Sequence, residues 1–316
     1  MKKVLVTGAA GTLGKKVIKY LLSEGKYEVT AVDLKSRNNH KILRKYKKRM
    51  NIIYADVTDV NLMEPALKES DYVIHLAGVN PPLSDLNPNL SYEIDYKGTE
   101  NIVRILNFYN PSCHLLFAST ATVYGEQENN EVSVSTKIDS SKLGAYAKYK
   151  YESEELIKEK LNNYSIYRLP VILCNPHKGN YIFNYNAKET FEITTDEDAA
   201  YMFVAALDKI EKLNKKIFNV GGGKYSIISG KDLNNEIIRL YGLSSKYIKT
   251  SLFIDKNVHG YIFKDSDKLD EILNYRNDSI ASYVMRVKRK EDHYFIRRIL
   301  GVPFIKKNKE IIDKEK

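Results

Sequence analysis

A tyrosine and a lysine in one short segment have the residue types and the spacing that proton transfer requires. Tyr146 and Lys150 are four positions apart, so in a helix their side chains share one face. A free tyrosine has a pKa of about 10, but a nearby ammonium favours the phenolate and lowers that pKa. The pair therefore predicts a tyrosine that exchanges a proton with a substrate hydroxyl. Because the chain holds 24 tyrosines, such a pair also arises by chance, and neighbouring motifs must decide between the two interpretations.

A hydroxyl-rich segment precedes this pair. The apolar run at 114–117 predicts a strand, and Ser119, Thr120 and Thr122 follow at its carboxyl end. Ligands of open α/β sheets bind at the carboxyl ends of the strands. We expect Thr120 to hydrogen-bond a substrate hydroxyl and to polarise the carbonyl that forms from it.

A loop with three glycines follows the first predicted strand and is typical of a dinucleotide site. The apolar run at 4–6 leads into this loop at 7–14, and an amphipathic helical pattern comes next. Small residues let backbone amides approach a pyrophosphate, and the helix N-terminus adds a partial positive charge. The loop therefore predicts cofactor contacts from Gly8, Ala10, Gly11, Thr12, Leu13 and Gly14.

The acid that ends the second predicted strand indicates which dinucleotide is bound. Asp33 stands 19 residues after Gly14 and is placed to accept hydrogen bonds from the adenosine ribose. Its charge would repel the 2′-phosphate of NADP, so we expect NAD. Lys35 and Arg37 follow at once and would offset part of that repulsion, which leaves NADP as the less favoured alternative.

Alternating strand and helix patterns must position these residues. Short apolar runs predict six strands, at 4–6, 28–32, 52–54, 72–74, 114–117 and 217–220. This repetition predicts an α/β fold, with a doubly wound parallel (Rossmann) sheet and a smaller, mostly helical C-terminal substrate lobe. We expect the dinucleotide-binding domain at 1–168, rejoined by about 206–222, and the substrate lobe at 169–205 and 223–316.

In their order along the chain, these motifs resemble those of the extended short-chain dehydrogenases/reductases, the NAD-dependent epimerase/dehydratase family. The matching segments are TGAAGTLG (7–14), Asp33, ADVTD (55–59), HLAG (75–78), EIDYKGTENI (93–102), STATVYG (119–125), YAKYK (146–150) and FNVGGG (218–223). The resemblance implies a catalytic triad of Thr120, Tyr146 and Lys150, in which Lys150 also bonds the nicotinamide ribose. It further implies that the adenine is flanked by Asp56 and Val57, and that the nicotinamide half of the cofactor is lined by Leu76, Ala77 and Gly78.

The residues after the hydroxyl segment narrow the reaction that this resemblance implies. Dehydratases of the family place an Asp-Glu pair there, because the removal of water needs an acid and a base. Here the positions hold Ala121 and Thr122, which do not titrate, so dehydration is disfavoured. The segment is similar to that of NAD-dependent sugar-nucleotide 4-epimerases. In such an enzyme Tyr146 would take the hydroxyl proton while hydride passes to NAD⁺ and then returns to the other face of the keto-sugar.

Departures from the family pattern leave other functions open. Asp95 replaces the family asparagine, the usual NVYGP-like segment after Arg168 is absent, and the stretch 176–198 is short for holding a nucleotide. Sugar-acid dehydrogenases of the superfamily share the short stretch. An NAD(P)-dependent dehydrogenase or reductase of a smaller sugar, sugar acid or other hydroxyl or carbonyl substrate is therefore the alternative. The third candidate is a non-catalytic, cofactor-binding regulator, which the intact tyrosine–lysine pair disfavours.

The overall composition predicts a globular cytoplasmic protein. Of the 316 residues, 43% are hydrophobic and 28% are charged, and no apolar run is long enough to span a membrane. The N-terminal apolar stretch is too short for a signal peptide. Two cysteines, Cys113 and Cys174, predict neither a disulfide framework nor a thiolate metal site, so we expect no metal.

The net charge of +10 is concentrated in two stretches. Residues 34–49 contain eight bases and no acid, and residues 286–316 contain eleven bases and five acids. No RNA-binding or helix-turn-helix motif accompanies them, so we expect solvated helix faces and no nucleic-acid partner.

The C-terminal region and the oligomeric state have weaker signals. Apolar positions between 280 and 299 recur at helical spacing and favour a helix packed on the core over contact with a membrane surface. Arg168, Arg276 and the basic tail are candidate cations for an anionic substrate. In many members of the family that this chain resembles, two subunits dimerise through helices that include the one corresponding to the Tyr146 helix. A homodimer is therefore among the expectations.

Overall fold

Seven parallel strands form the central sheet. The structure, a computed structural model, describes residues 1–127, 130–174, 186–240 and 260–290. Numbered along the chain and given in their order across the sheet, the strands are β10 (Lys216–Asn219), β7 (Tyr164–Leu169), β5 (His114–Thr120), β4 (Tyr72–His75), β1 (Lys2–Thr7), β2 (Tyr27–Asp33) and β3 (Asn51–Tyr54). All six neighbouring pairs are parallel. The order reverses between β1 and β4, and such a switch point opens a crevice at the carboxyl ends of the strands.

The predicted strands agree closely with this sheet. Five of the six apolar runs lie wholly within a strand, and the run at 217–220 passes the end of β10 by one residue. Strand β7 was not among the predicted runs, although its residues Tyr164–Leu169 are almost all buried. The apolar pattern of this segment is interrupted by Ser165 and Arg168. Both can be buried because His114 and Glu154 bind them in the folded chain.

Helices connect the strands and cover the sheet. In chain order they are α1 (Gly14–Glu24), α2 (Arg37–Leu43), α3 (Val60–Lys68), α4 (Leu83–Leu86), α5 (Pro88–Ser91), α6 (Gly98–Tyr109), α7 (Ala145–Lys160), α8 (Asp196–Leu207), α9 (Ile210–Leu213), α10 (Gly230–Leu240), α11 (Asp267–Leu273) and α12 (Ile280–Lys290).

Two helical layers sandwich the sheet, because successive residues of a strand point to opposite faces. Val4 and Val6 of β1 pack in a cluster with α1, α8 and α11. Leu5, between them, packs in a second cluster with α3, α6 and α7. Strands buried on both faces explain the nearly continuous apolar runs, and the predicted doubly wound fold is confirmed.

A smaller set of strands lies beside this sandwich. Three strands, in the order β11 (Ile227–Ser229), β9 (Thr190–Thr195) and β8 (Val171–Leu173), form one sheet, and β6 (Glu131–Val132) pairs with β12 (Ile262–Phe263). Helix α8 packs on the central sheet, although most of its residues were expected in the substrate lobe. The division of the chain into two domains stays a prediction.

Helix α12 packs on the smaller sheet, as its apolar spacing predicts. Tyr283, Val284 and Val287 are buried with Phe191 and Ile193 of β9. Burial of this face confirms the packed helix expected for the first part of the C-terminal region. The expected positions Tyr294, Phe295 and Ile299, with most of the basic tail, lie outside the described residues.

A buried acid joins α8 to the turn after α11. Asp198 is buried, and its Oδ1 accepts a hydrogen bond from the main-chain N–H of Asn277 at 3.0 Å. Burial, with a smaller contribution from the carboxylates of Asp278 and Asp270, raises the pKa of Asp198 to about 7. The ionised form is therefore unfavourable in the folded protein.

We expect Asp198→Asn to stabilise the protein at alkaline pH. An unfolded Asp loses its proton near its ordinary pKa of 3.8, whereas the folded chain holds the proton up to about pH 7. Stability therefore falls as pH rises through this window. The asparagine keeps an acceptor for Asn277 and cannot ionise, so its melting temperature should exceed that of the native protein at about pH 8, with the difference shrinking toward about pH 4. Glu211→Gln, at an exposed acid of α9, is the control, and a parallel pH dependence in all three proteins would contradict the assignment.

Candidate active site

The glycine loop between β1 and α1 approaches other backbone segments so closely that side chains do not fit. Gly8 has φ +65°, and a Cβ added there would lie 2.9 Å from the backbone nitrogen of Ala77. A Cβ on Gly14 would lie 2.1 Å from the carbonyl oxygen of Gly8. Gly11 donates its N–H to that same oxygen at 3.0 Å, and Gly11 and Thr12 are exposed. The loop thus presents accessible backbone at the N-terminus of α1, where an anion is favoured.

Asp33 ends β2 beside this loop. Its Oδ2 accepts the main-chain N–H of Ala10 at 2.7 Å, and its Oδ1 accepts the N–H of Leu34 and the side-chain amide of Asn39, both at 2.8 Å. Burial raises the pKa of this carboxyl, while the N–H donors of Ala10 and Leu34 oppose that shift. A carboxylate has about four lone-pair positions, so three donors leave room for a ribose hydroxyl.

The residues expected to line the rest of the cofactor follow β3 and β4. Asp56 turns its Oδ1 toward Thr58, accepting the N–H at 2.9 Å and the hydroxyl at 2.8 Å. The side chain of Val57 is buried, and its Cγ2 would lie 2.5 Å from a Cβ added to Gly98. Any contact of Val57 with an adenine would therefore come largely from its backbone. The partly exposed segment Leu76–Gly78 leaves β4 directly across from Gly8.

The three residues of the predicted triad come together where β5 meets α7. Thr120 is the last residue of β5, and its side chain lies near enough to the phenol of Tyr146, in the first turn of α7, to lower the pKa of that phenol. Lys150, one turn further, is 3% exposed. Its Nζ donates to the carbonyl oxygen of Ala118 at 3.0 Å and lies 4.7 Å from the centre of the Phe117 ring. The roles of these residues stay predictions.

The electrostatics of Tyr146 differ from the sequence-based expectation. The lysine was expected to lower the pKa of this phenol, whereas burial and the negative charge of Asp95 raise it, and the hydrogen bond from Thr120 opposes them only in part. Burial also lowers the pKa of Lys150, against the charges of Asp95 and Glu154. The difference arises because removal from water penalises both charged forms.

A buried hydrogen-bond chain, not predicted from the sequence, links the glycine loop to Asp95. His75 Nδ1 lies 2.7 Å from the Thr7 hydroxyl, and Nε2 lies 3.0 Å from the Thr99 hydroxyl, which donates to the carbonyl oxygen of Asp95 at 2.6 Å. Burial, with the charge of Lys150, lowers the pKa of His75 to about 3, so the ring is neutral. All four members lie in segments that match the family pattern, at 7–14, 75–78 and 93–102, but nothing in those segments shows that they are bonded to one another.

The two arginines proposed as cations for an anionic substrate are occupied inside the protein. Arg168 is 3% exposed and binds Glu154 through Nε at 3.0 Å and Nη2 at 2.6 Å. Arg276 donates to the carbonyl oxygen of Gly221 at 2.8 Å and pairs with Asp267. Both arginines pair with acids of this chain, and a contact of either with a substrate stays a prediction. Glu154 itself carried a signal, since it lies four residues after Lys150.

Comparison with known proteins agrees with this geometry. Residues 4–190, more than half of the chain, match the model of the NAD-dependent epimerase/dehydratase family. The chain belongs to this family. It is 29% identical over 192 residues to D-erythronate dehydrogenase of Haemophilus influenzae, covering 56% of this chain and 57% of that protein. It is 30% identical over 168 residues to UDP-glucose 4-epimerase 2 of Arabidopsis thaliana, covering 50% and 47%. The chain thus spans about half the length of these relatives.

Solved structures show the same fold across most of the chain. The UDP-glucuronic acid 4-epimerase from Bacillus cereus in complex with NAD has a TM-score of 0.72 at 21% identity, covering 90% of this chain and 99% of the other. The dTDP-glucose 4,6-dehydratase DesIV from Streptomyces venezuelae has a TM-score of 0.77 at 19% identity, covering 93% and 98%. At these identities the likeness shows the fold alone.

NAD is the cofactor of this epimerase/dehydratase family, and the predicted cofactor is confirmed. The residues present fit the group. Gly8 and Gly14 form a cradle that any Cβ would fill, and Asp33 keeps an acceptor position at the neighbouring strand end. Within the described ranges, no helix combines the length and apolarity that a membrane crossing requires. Nor do any three His, Cys, Asp or Glu side chains in that part of the chain group so as to hold a metal ion.

Proposed function

We propose that this family member is an NAD-dependent, sugar-nucleotide epimerase-type oxidoreductase that acts at a sugar hydroxyl. The single observation that carries the proposal is the placement of Tyr146 and the buried Lys150 one turn apart on α7, beside Thr120 at the carboxyl end of the central sheet. A substrate hydroxyl that binds beside Thr120 at this edge of the sheet would lie next to the phenol of Tyr146. The names of relatives, among them UDP-glucose 4-epimerases, support a sugar-nucleotide substrate.

The mechanism assigns one task to each side chain. Tyr146 accepts the proton of the substrate hydroxyl and gives it back to the oxygen after inversion. Thr120 orients that oxygen and donates a hydrogen bond to the carbonyl that forms. The ammonium of Lys150 stabilises the phenolate of Tyr146 and would bond the ribose of the cofactor. Bound NAD supplies the hydride acceptor and donor at this place.

The residues after Thr120 argue against loss of water as the outcome. Ala121 is buried, and Thr122 shares a 3.0 Å hydroxyl contact with Thr120. Neither side chain titrates, so the acid–base pair that elimination requires is missing at this position. Dehydratases are among the relatives, but we assign this chain to hydroxyl oxidation followed by return or release of hydride.

A dehydrogenase of a smaller sugar acid is the second candidate. The stretch 176–198 is short for a segment that holds a nucleotide. The relative named D-erythronate dehydrogenase supports this candidate as well. A dehydrogenase releases its hydride as NADH, whereas an epimerase returns it to the substrate.

One measurement separates the two candidates. Purified protein with NAD⁺ is incubated with UDP-, GDP- and dTDP-sugars and, separately, with free aldonic and uronic acids, while NADH absorbance is recorded and products are identified by NMR. We expect an inverted sugar nucleotide with no net rise of NADH. Stoichiometric NADH with a sugar acid would establish the dehydrogenase instead, and no product in either series would contradict both candidates.

A further inference from the structure

Asp95 lies in a wide helical turn beside the predicted triad. It belongs to a π-helical turn, Tyr92–Lys97, inserted between α5 and α6, and such wide turns are frequent at functional sites. Its side chain is fully buried. One carboxylate oxygen accepts the hydroxyl of Ser91 at 2.7 Å, and the other accepts the N–H of Val79 at 3.1 Å. The carboxylate is therefore held in one orientation.

That orientation brings Asp95 against Lys150. Oδ1 of Asp95 lies 3.8 Å from Nζ of Lys150, and both side chains are removed from water. The exposed Gly78 passes directly over the pair, because a Cβ added to it would lie 2.6 Å from Oδ1 and 3.4 Å from Nζ. The ion pair thus lies immediately beneath the surface on which the cofactor is expected.

The other charged and titratable groups around Tyr146 and Lys150 are already neutral or compensated. Glu154, on α7, is paired with Arg168. His75, on β4, is uncharged between the hydroxyls of Thr7 and Thr99. Among the described residues that face Lys150, Asp95 is accordingly the anion that balances its ammonium.

We propose that Asp95 is a positioning residue that, together with its partner Lys150, sets the ionisation of Tyr146. With a neutral phenol, the group formed by Asp95, Lys150 and Tyr146 has no net charge, and ionisation of the phenol makes it a buried anion. With asparagine at 95 the same step would convert a buried cation into a neutral pair, which is less costly in a medium that solvates charge poorly. Asp95 therefore makes ionisation of Tyr146 less favourable and moves the pH dependence of proton transfer upward. This inference deepens the proposed function and rests on it.

The charge of Asp95 also raises the pKa of Tyr146 and that of Lys150. The first effect agrees with the proposal directly. The second opposes the effect of burial on Lys150 and so favours its ammonium form.

The test is the titration of Tyr146 in Asp95→Asn, which preserves shape and removes charge. The NAD-bound protein is labelled at the tyrosine ring carbon that bears oxygen, and the Tyr146 signal is identified by its loss in Tyr146→Phe. We expect Asp95→Asn to lower the pH midpoint of this signal by about one unit. The acid limb of kcat/KM should move by the same amount. Glu93→Gln, an exposed acid of the same turn, is the matched control and should move neither.

The outcomes are distinct. A midpoint that stays within about 0.2 unit of the native value, or that rises, would overturn the proposal, because a neighbouring charge shifts a pKa by more than this. Asp95→Ser removes the charge with a different shape and should shift the midpoint in the same direction. If neither variant folds with NAD bound, Asp95 serves the fold and the proposal is wrong. The NMR titration needs no substrate, so a protein without turnover would refute the proposed function and leave this test intact.

Discussion

Tyr146→Phe is expected to abolish turnover while the protein still binds NAD. The variant keeps the aromatic ring on the first turn of α7 and removes only the hydroxyl that contacts Thr120. Because that hydroxyl is the proposed acceptor of the substrate proton, kcat/KM should fall by roughly a hundred- to ten-thousand-fold. The rate is measured by product formation, and NAD affinity by calorimetric titration.

Tyr149→Phe is the matched control for this experiment. It lies three residues further on the same helix, and its ring packs on that of Tyr92 with centres 5.3 Å apart, a contact that phenylalanine keeps. The control should retain activity close to that of the native protein. Native rates in Tyr146→Phe, or an equal loss in both variants, would show that the proton passes through another group.

Glu154→Gln is expected to cause the largest loss of stability among single substitutions at the site. Glu154 is fully buried, and it accepts hydrogen bonds from Arg168 and from the hydroxyl of Ser119. Removal of its charge leaves the guanidinium of Arg168, 3% exposed, without an anion. Breaking a buried pair in this way costs about 3–5 kcal/mol of unfolding free energy, which urea denaturation measures.

The exposed neighbour provides the comparison for this stability loss. Glu155→Gln removes a pair with Lys158 in which the Glu155 side chain is 46% exposed. Surface pairs of this kind contribute less than about 1 kcal/mol. A loss of the same small size in both variants would mean that Arg168 is solvated in the folded protein. A double variant, Glu154→Leu with Arg168→Met, should recover part of the loss because it leaves no buried charge unpaired.

The pKa of Tyr146 connects these results. Burial and Asp95 raise this pKa, so the phenolate form of Tyr146, which accepts the proton, is harder to form. Under the proposed balance between Asp95 and Lys150, a change of the side chain at position 95 alone changes the pKa of Tyr146. A sequence with asparagine at this position would therefore be expected to work at lower pH than this protein.

Much of the fold was accessible from the sequence because its signals are local. Strand β1, the glycine loop and α1 form one continuous pattern, in which an apolar run, small residues and a helical stripe follow each other without a gap. Gly8 and Gly14 were recognisable because only glycine tolerates the backbone approaches found there. The Tyr146–Lys150 spacing needed no more than the periodicity of a helix.

The electrostatic state of the site was decided by tertiary structure. Asp95 and Lys150 lie 55 residues apart in different helical elements, and no spacing rule relates them. Arg168 looked available for a substrate until the fold placed Glu154 against it. The sequence by itself determined which residues stand at the strand ends and on which helix face, because those follow from repeat periods along the backbone. Which buried charge meets which partner depends on how distant elements pack, and desolvation then converts a small difference in position into a large difference in pKa.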